Sequence, residues 1–171
     1  MWNVISLDGC FEGKKPWDLD FHQTVWGKEL QDHSVEQLKT ADMIIFGSKT
    51  YKGMADYWST AKGEPETSYM NRTPKIVCST TLKSAEWGDT TIVRDAVAEI
   101  PKLKQQGGGN MFIFGSGILS ESLMKAGLST NTACVSRRCS WATAGACSTK
   151  ACRTRSWSCS KSGPCKPTAL S

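Results

Sequence analysis

A Gly-x-Gly turn is the pattern with the clearest chemical use in this sequence of 171 residues. Gly115-Ser116-Gly117 follows an apolar segment, Met111–Phe114, and precedes a segment with a helical pattern. A strand that ends in such a turn and opens a helix directs backbone N–H groups and the positive helix end at one point. The turn therefore predicts a phosphate site, although a Gly-x-Gly turn without the third glycine of the Rossmann fingerprint is about as often purely structural.

Two other predicted strands end in polar residues. Gly47-Ser48-Lys49-Thr50 adds hydroxyl groups and an ammonium group that can contact phosphate oxygens, and Ser79-Thr80-Thr81 offers hydroxyls at a third strand end. Parallel sheets bind ligands at their carboxyl edge, so three such ends can converge on one ligand. Ordinary turns and helix caps remain the alternative interpretation of each segment.

Strands and helices alternate along the predicted fold. The apolar runs predict strands at Trp2–Leu7, Met43–Phe46, Lys75–Ser79, Thr91–Val93 and Met111–Phe114. Helices are predicted after a Ser34-x-x-Gln37 capping box, after Gly47, over Asp95–Gln105 despite Pro101, and over Ile118–Ala126 with Gly127 closing the last one. This alternation predicts an α/β fold with a largely parallel sheet.

Charge and cysteine divide the chain into two parts. All 16 acidic residues lie at or before Glu121, so residues 1–128 carry a net charge of −2 although the whole chain carries +5. Residues 129–171 carry seven basic residues, no acidic ones and six of the eight cysteines. We therefore expect a folded domain at 1–128 and a basic, Cys/Ser/Thr-rich tail at 129–171.

The first part resembles a known family. Its motifs are similar to those of the dihydrofolate reductase-like domains related to the reductase half of the bacterial riboflavin biosynthesis enzyme. The resemblance runs from Met1 to Leu128 and implies a three-layer α/β/α fold with a mostly parallel central sheet. It rests on four segments, Asn3–Gly9, Phe46–Met54, Pro74–Ser79 and Phe112–Gly117.

The resemblance implies a cofactor, NADPH. It places Lys49, Thr50 and the hydroxyls of Ser79 and Thr80 near the adenosine phosphates, with Gly47 and Ser48 in the same turn. It places Gly115, Ser116, Gly117, Ile118 and Leu119 along the pyrophosphate. Lysine can serve at such a site as a point charge where family members usually carry arginine.

The implied reaction is hydride transfer from the nicotinamide to a C=N or C=O group of a pterin- or pyrimidine-like substrate. Dihydrofolate reductases use a carboxylate shortly after the first strand, and Asp18 and Asp20 are the candidates by position. The isolated His22 and His33 are expected at the surface. Four aromatic residues can either stack on a flat substrate or pack in the core, namely Trp17, Phe21, Tyr57 and Trp58.

The tail fits no known kind of module. It has no Cys-x-x-Cys and no histidine, which opposes a zinc site, and a reducing cytoplasm opposes stable disulfides. Joining the last base of each codon to the first two of the next, with common GC-rich codons, gives approximately DEYRLCVAPVLLGNGRRLFDKGLPD for Ser129 to Thr154. That string resembles the way the family continues. We infer an out-of-frame tail, with C-terminal strands missing or altered and with marginal stability and weak activity as consequences.

Other properties follow from the composition. No run of 18 apolar residues can span a bilayer, and no secretory signal is visible, so a cytoplasmic protein is expected. A small-molecule substrate is the expected partner, a homodimer is possible, and nucleic acid is an unfavoured partner. Two alternatives to a reductase stay open: a nucleotide-binding remnant without turnover, and a protein that associates with nucleic acid through the basic tail.

Overall fold

The computed structural model describes residues 2–6, 10–15, 17–106, 108–129, 133–137, 157–158 and 166–167. The elements in chain order are β1 (Trp2–Ser6), a 3-10 helix (Asp20–Thr24), α1 (Lys28–Lys39), β2 (Ala41–Gly47), α2 (Ser48–Trp58), α3 (Thr67–Arg72), β3 (Lys75–Cys78), β4 (Thr90–Val93), α4 (Ala96–Gln105), β5 (Asn110–Ile113), α5 (Gly117–Lys125), β6 (Ala133–Arg137), β7 (Trp157–Ser158) and β8 (Lys166–Pro167).

The main sheet has four parallel strands in the order β4-β3-β2-β5. Along the chain, β3 pairs on one side of β2 and β4 pairs with β3. Helix α4 then crosses back, and β5 pairs on the other side of β2. The direction of winding therefore reverses between β2 and β5. In open α/β sheets such a reversal creates a crevice outside the carboxyl ends of the two strands, where ligands bind.

Two apolar layers cover the two faces of this sheet. The first contains Ile44, Phe46 and Val77 of the strands and packs against α1, α2 and α3. The second contains Ile45 and Ile76 and packs against α4 and α5. Alternate residues of one strand thus enter different layers, as the period of two requires. The predicted three-layer α/β/α fold with a parallel sheet is confirmed.

The smaller pairings involve the chain ends. Strand β1 pairs in parallel with β6, with Val4 opposite Val135, and β7 pairs with β8 in antiparallel fashion. Three short strands, β6, β7 and β8, therefore lie within the tail, and β6 is the one that pairs with the first part of the chain. The rest of the tail prediction lies mostly outside the described residues.

The predicted start of the first helix is wrong. Ser34 does not cap a helix but lies buried in the middle of α1, which begins two turns earlier after Gly27. Lys28, Glu29, Leu30 and Gln31 are all good helix formers, and this run extends the helix toward the N-terminus. The short helix α3 is a further element that the sequence patterns did not reveal.

Candidate functional site

The ends of β2 and β5 are joined directly at the winding reversal. The backbone N–H of Gly47 donates to Oγ of Ser116 over 2.8 Å. A Cβ on Gly115 would lie 3.1 Å from Cγ2 of Thr50, so the two turns are also in van der Waals contact. The structure thus brings together the two glycine turns that the sequence places 69 residues apart.

The turn after β5 has an unusual backbone. Gly115 and Ser116 both lie in the left-handed region, with φ values of 60° and 57°. Glycine adopts this conformation readily, whereas serine does so at a cost. Ser116 is the N-cap residue of α5, yet its side chain makes no capping hydrogen bond to that helix, and its Oγ accepts instead from Gly47.

Helices α2 and α5 therefore begin without a side-chain cap. The N-cap of α2 is Gly47, which has no side chain, and Ser116 is turned away from α5. Helix α4 differs, because the Asp95 side chain accepts from the N–H groups of Val97 and Ala98. Of the helices that directly follow a strand of the main sheet, the two at the crevice therefore have no side-chain acceptor for their first N–H groups.

The third predicted strand end lies next to Gly47, because Gly47 pairs with Cys78 and Ser79 follows it. The Ser79 Oγ accepts from the N–H groups of Thr81 at 3.3 Å and Leu82 at 3.0 Å, which leaves its own proton as the group it can donate. Thr80 is exposed beside it.

Arg94 joins this edge from the end of β4. Its Nη1 donates to the carbonyl oxygen of Ser79 over 2.8 Å. This bond uses one of the five guanidinium N–H donors, and the residue is exposed. Sequence reasoning did not select Arg94, although an arginine directly after a predicted strand, Thr91–Val93, was the available signal.

The remaining predicted cofactor residues line the first turns of α2 and α5. Lys49 is exposed and Ser48 is half-buried, so the ammonium group adds positive charge near the start of α2. On α5, Ile118 is 67% exposed, which is unusual for a large apolar side chain, and Leu119 packs against the second core layer. Burial raises the pKa of the Cys78 thiol at the end of β3 to about 11, so this thiol is protonated at neutral pH.

The two candidate acids, Asp18 and Asp20, follow β1 in the chain and lie at or before the start of the 3-10 helix. Asp18 is half-buried and folds back onto Gly13, where a Cβ would overlap its Oδ2. Asp20 is exposed at the start of the 3-10 helix. The same segment reaches the crevice through Phe11, whose ring would lie 3.1 Å from a Cβ on Gly117.

Glu66 is a further carboxylate that the sequence analysis did not select. It is 2% exposed, its Oε1 has no hydrogen-bond partner among the described residues, and Gln31 of α1 donates to its Oε2 over 3.5 Å. Burial raises its pKa, so it holds a proton to a higher pH than an exposed glutamate does.

The structure agrees with some of the predictions for histidine and aromatic side chains and differs from others. His33 is exposed as expected, but the prediction for His22 is wrong, because its ring is half-buried and its Nε2 has no described partner. Burial lowers the pKa of His22, because desolvation disfavours the charged ring. Phe21 belongs to the core and Trp58 packs against it, whereas Trp17 and Tyr57 are exposed.

Other kinds of site are not found in the described part of the chain. No group of three or more His, Cys, Asp and Glu side chains there can hold a metal ion. None of its helices is long and apolar enough to cross a membrane. A surface depression of about 520 Å³ lies beside the start of α1 and contains none of the predicted site residues.

Comparison with protein families gives a match over residues 1–131, to the RibD C-terminal domain. The chain belongs to this family. The family is one of reductases, and a nicotinamide cofactor is typical of it. Comparison with curated protein sequences finds no match.

A solved structure supports the fold of this RibD C-terminal domain. It is the crystal structure of a protein from Shewanella sp. PV-4 that is described as a riboflavin biosynthesis protein. The TM-score is 0.65 at 16% sequence identity, and the match covers 92% of this chain and 86% of the other. At this identity the likeness concerns the fold.

Proposed function

We propose that this RibD C-terminal domain is an NADPH-dependent reductase whose cofactor lies across the carboxyl ends of β2 and β5. The observation that carries the proposal is the Gly47 to Ser116 hydrogen bond, which joins two glycine turns and leaves two neighbouring helix N-termini uncapped at the winding reversal. Membership of a reductase family supports it independently.

The cofactor's charged groups match the polar groups of this edge. The N–H groups of Gly117, Ile118 and Leu119 would hold the pyrophosphate at the start of α5. Lys49, Thr50, Ser79 and Thr80 would contact the adenosine phosphates. Arg94 would bind the 2′-phosphate, because its guanidinium stands at the strand end beside Ser79 and presents planar N–H pairs.

The bound nicotinamide would supply a hydride to a C=N or C=O carbon of a pterin- or pyrimidine-like substrate, and the protein would supply the proton. We propose Asp18 or Asp20 as its source, since both lie close in the chain to Phe11, which packs on the first residue of α5. The substitutions Asp18→Asn and Asp20→Asn separate the two by their effect on turnover at unchanged NADPH affinity.

The cofactor site is tested by NADPH titration of the full chain, followed by calorimetry. Gly115→Ala should weaken binding about tenfold or more, because Gly115 has a φ of +60° and a Cβ would press on Thr50. Gly127→Ala is the matched control, since Gly127 has a φ of +70° at the other end of α5 and nothing within 4 Å of its Cβ position. Equal affinities of the two variants would refute the proposed site.

The choice of cofactor is tested by comparing NADPH with NADH on Arg94→Met. Loss of a charged hydrogen bond to the 2′-phosphate should weaken NADPH binding about tenfold and leave NADH binding nearly unchanged. A parallel loss for both cofactors would show that Arg94 does not read the 2′-phosphate.

A further inference from the structure

The backbone of Trp17 has a strained conformation. Its φ is 65°, in the left-handed region, which bulky residues rarely adopt. The residue is nevertheless 42% exposed, so core burial does not explain the conformation. A strained, partly exposed aromatic residue is a reason to look for a ligand.

The Trp17 ring packs directly on Gly53 of α2, and we call this contact the Trp17 seat. A Cβ on Gly53 would overlap Cζ2 of Trp17, so a side chain at position 53 requires the indole to move. Glycine inside a helix weakens it, so its presence in α2 needs a reason, and the close approach of the indole supplies one. The pair fixes one side of the ring.

The segment around Trp17 is held by its own hydrogen bonds. The N–H of Trp17 donates to the Glu12 carboxylate over 2.9 Å, and the N–H of Gly13 donates to the carbonyl of Asp18 over 2.8 Å. The backbone that carries the indole is therefore held in place by hydrogen bonds, which lowers the ordering cost of binding.

Trp17 lies on a segment that also reaches the crevice. Phe11 of the same segment packs on Gly117 of α5, while Trp17 packs on Gly53 of α2, so the segment reaches both helices that open at the crevice. Gly53 lies about 9 Å along α2 from the phosphate-facing turn at Gly47. The indole thus stands away from the phosphate groups but on the same helix.

We propose that the exposed part of the Trp17 indole, seated on Gly53, is the aromatic wall against which the flat heterocyclic ring of the substrate stacks. The inference rests on the proposed reductase function and assigns the substrate side of that site. An indole presents a flat apolar face, so it selects planar rings over aliphatic chains. The groups proposed for the phosphates lie in the first turns of α2 and α5 and at the ends of β3 and β4, whereas Gly53 lies further along α2, which leaves Trp17 to the substrate.

The test measures binding of a planar probe, pteridine-2,4-dione, and of NADPH, each by calorimetry on the full chain. Trp17→Ala should weaken probe binding about threefold to tenfold and leave NADPH binding unchanged. Trp26→Ala is the matched control, because Trp26 is a tryptophan of similar exposure, 37%, just before α1. It should change neither affinity.

Gly53→Ala separates a binding role from a structural one. The added methyl group displaces the indole but favours the helix, so the thermal transition should stay unchanged or rise while probe affinity falls. Unchanged probe affinity in both Trp17→Ala and Gly53→Ala would overturn the proposal, and so would an equal loss of NADPH affinity. Failure of the parent chain to bind NADPH would instead count against the proposed function, since the probe is titrated without cofactor.

Discussion

Ser116 decides how the candidate site is built at the level of single residues. A serine at the start of a helix usually caps it, but the left-handed backbone at Ser116 turns the hydroxyl toward Gly47 instead. One side chain thus joins two strand ends and leaves the N–H groups of α5 unoccupied. The sequence shows the glycines on either side of Ser116, but not the direction of its side chain, which depends on a partner 69 residues away.

Lys75 is a buried charge at the opposite, amino edge of the sheet. It is 1% exposed, its Nζ donates to the carbonyls of Asn71 and Thr73, and it lies 4.5 Å from the centre of the Trp87 ring. Burial outweighs the attraction of Asp89 and lowers its pKa from 10.5 to about 8. Below that pH the folded protein carries the cost of a desolvated ammonium group.

The pH dependence of stability tests this assignment. Between about pH 8 and pH 10.5 the unfolded chain binds the Lys75 proton more tightly than the folded one, so this residue makes stability rise with pH. Urea unfolding of the parent and of Lys75→Met across this range should show the parent gaining stability relative to the variant. A constant difference between them would show that Lys75 titrates normally.

At the scale of elements, α4 contrasts with α2 and α5. The N–H groups of Val97 and Ala98 donate to the Asp95 carboxylate, so this helix start has a side-chain cap. Asp95→Ala should lower the free energy of unfolding by about 1 kcal/mol and leave NADPH affinity unchanged. Urea unfolding and calorimetry measure the two quantities.

Asp56→Ala on α2 is the control for this substitution, because Asp56 is also an exposed carboxylate on a helix but does not cap one. It should change stability little. If Asp95→Ala weakened NADPH binding as strongly as Gly115→Ala, the proposal that the cofactor binds at the uncapped starts of α2 and α5, and not at the capped start of α4, would be contradicted.

The elements that sequence patterns predicted well are those with strong local signals. The runs of apolar residues located β2, β3 and β5, and Gly127 marked the end of α5. The patterns failed for α1, where a Ser-x-x-Gln match inside a helix imitated a cap, and for the six-residue α3, which is too short for a periodic signal. The contact of Trp17 with Gly53 is a tertiary contact, so no periodic pattern in the sequence indicates it.

At the scale of the whole molecule, the tail at residues 129–171 bears on the stability of the domain before it. We propose that residues 1–128 form the reductase domain and that 129–171 are translated out of frame. The shifted reading would place apolar residues near 133–137, where β6 pairs with β1, whereas the present strand contains Ser136 and Arg137. Strand β1 contributes Val4 to the first core layer, so its neighbour bears on the stability of that layer.

Replacing residues 129–154 by the shifted sequence tests this proposal. The restored chain should unfold at a temperature several degrees higher than the present one and bind NADPH at least as tightly, because an apolar neighbour of β1 buries more surface. Resequencing of the source gene is the companion measurement. A lower melting temperature for the restored chain would contradict an out-of-frame tail.

Amide chemical shifts measure the location of the bound cofactor most directly. In ¹⁵N–¹H spectra of the full chain titrated with NADPH, the largest changes should fall on two sets of backbone amides at the crevice, those of Ser48, Lys49 and Thr50 and those of Gly117, Ile118 and Leu119. The amides of Val97 and Ala98 at the capped start of α4 should change little. Largest changes at α4, or at the depression beside α1, would contradict the account.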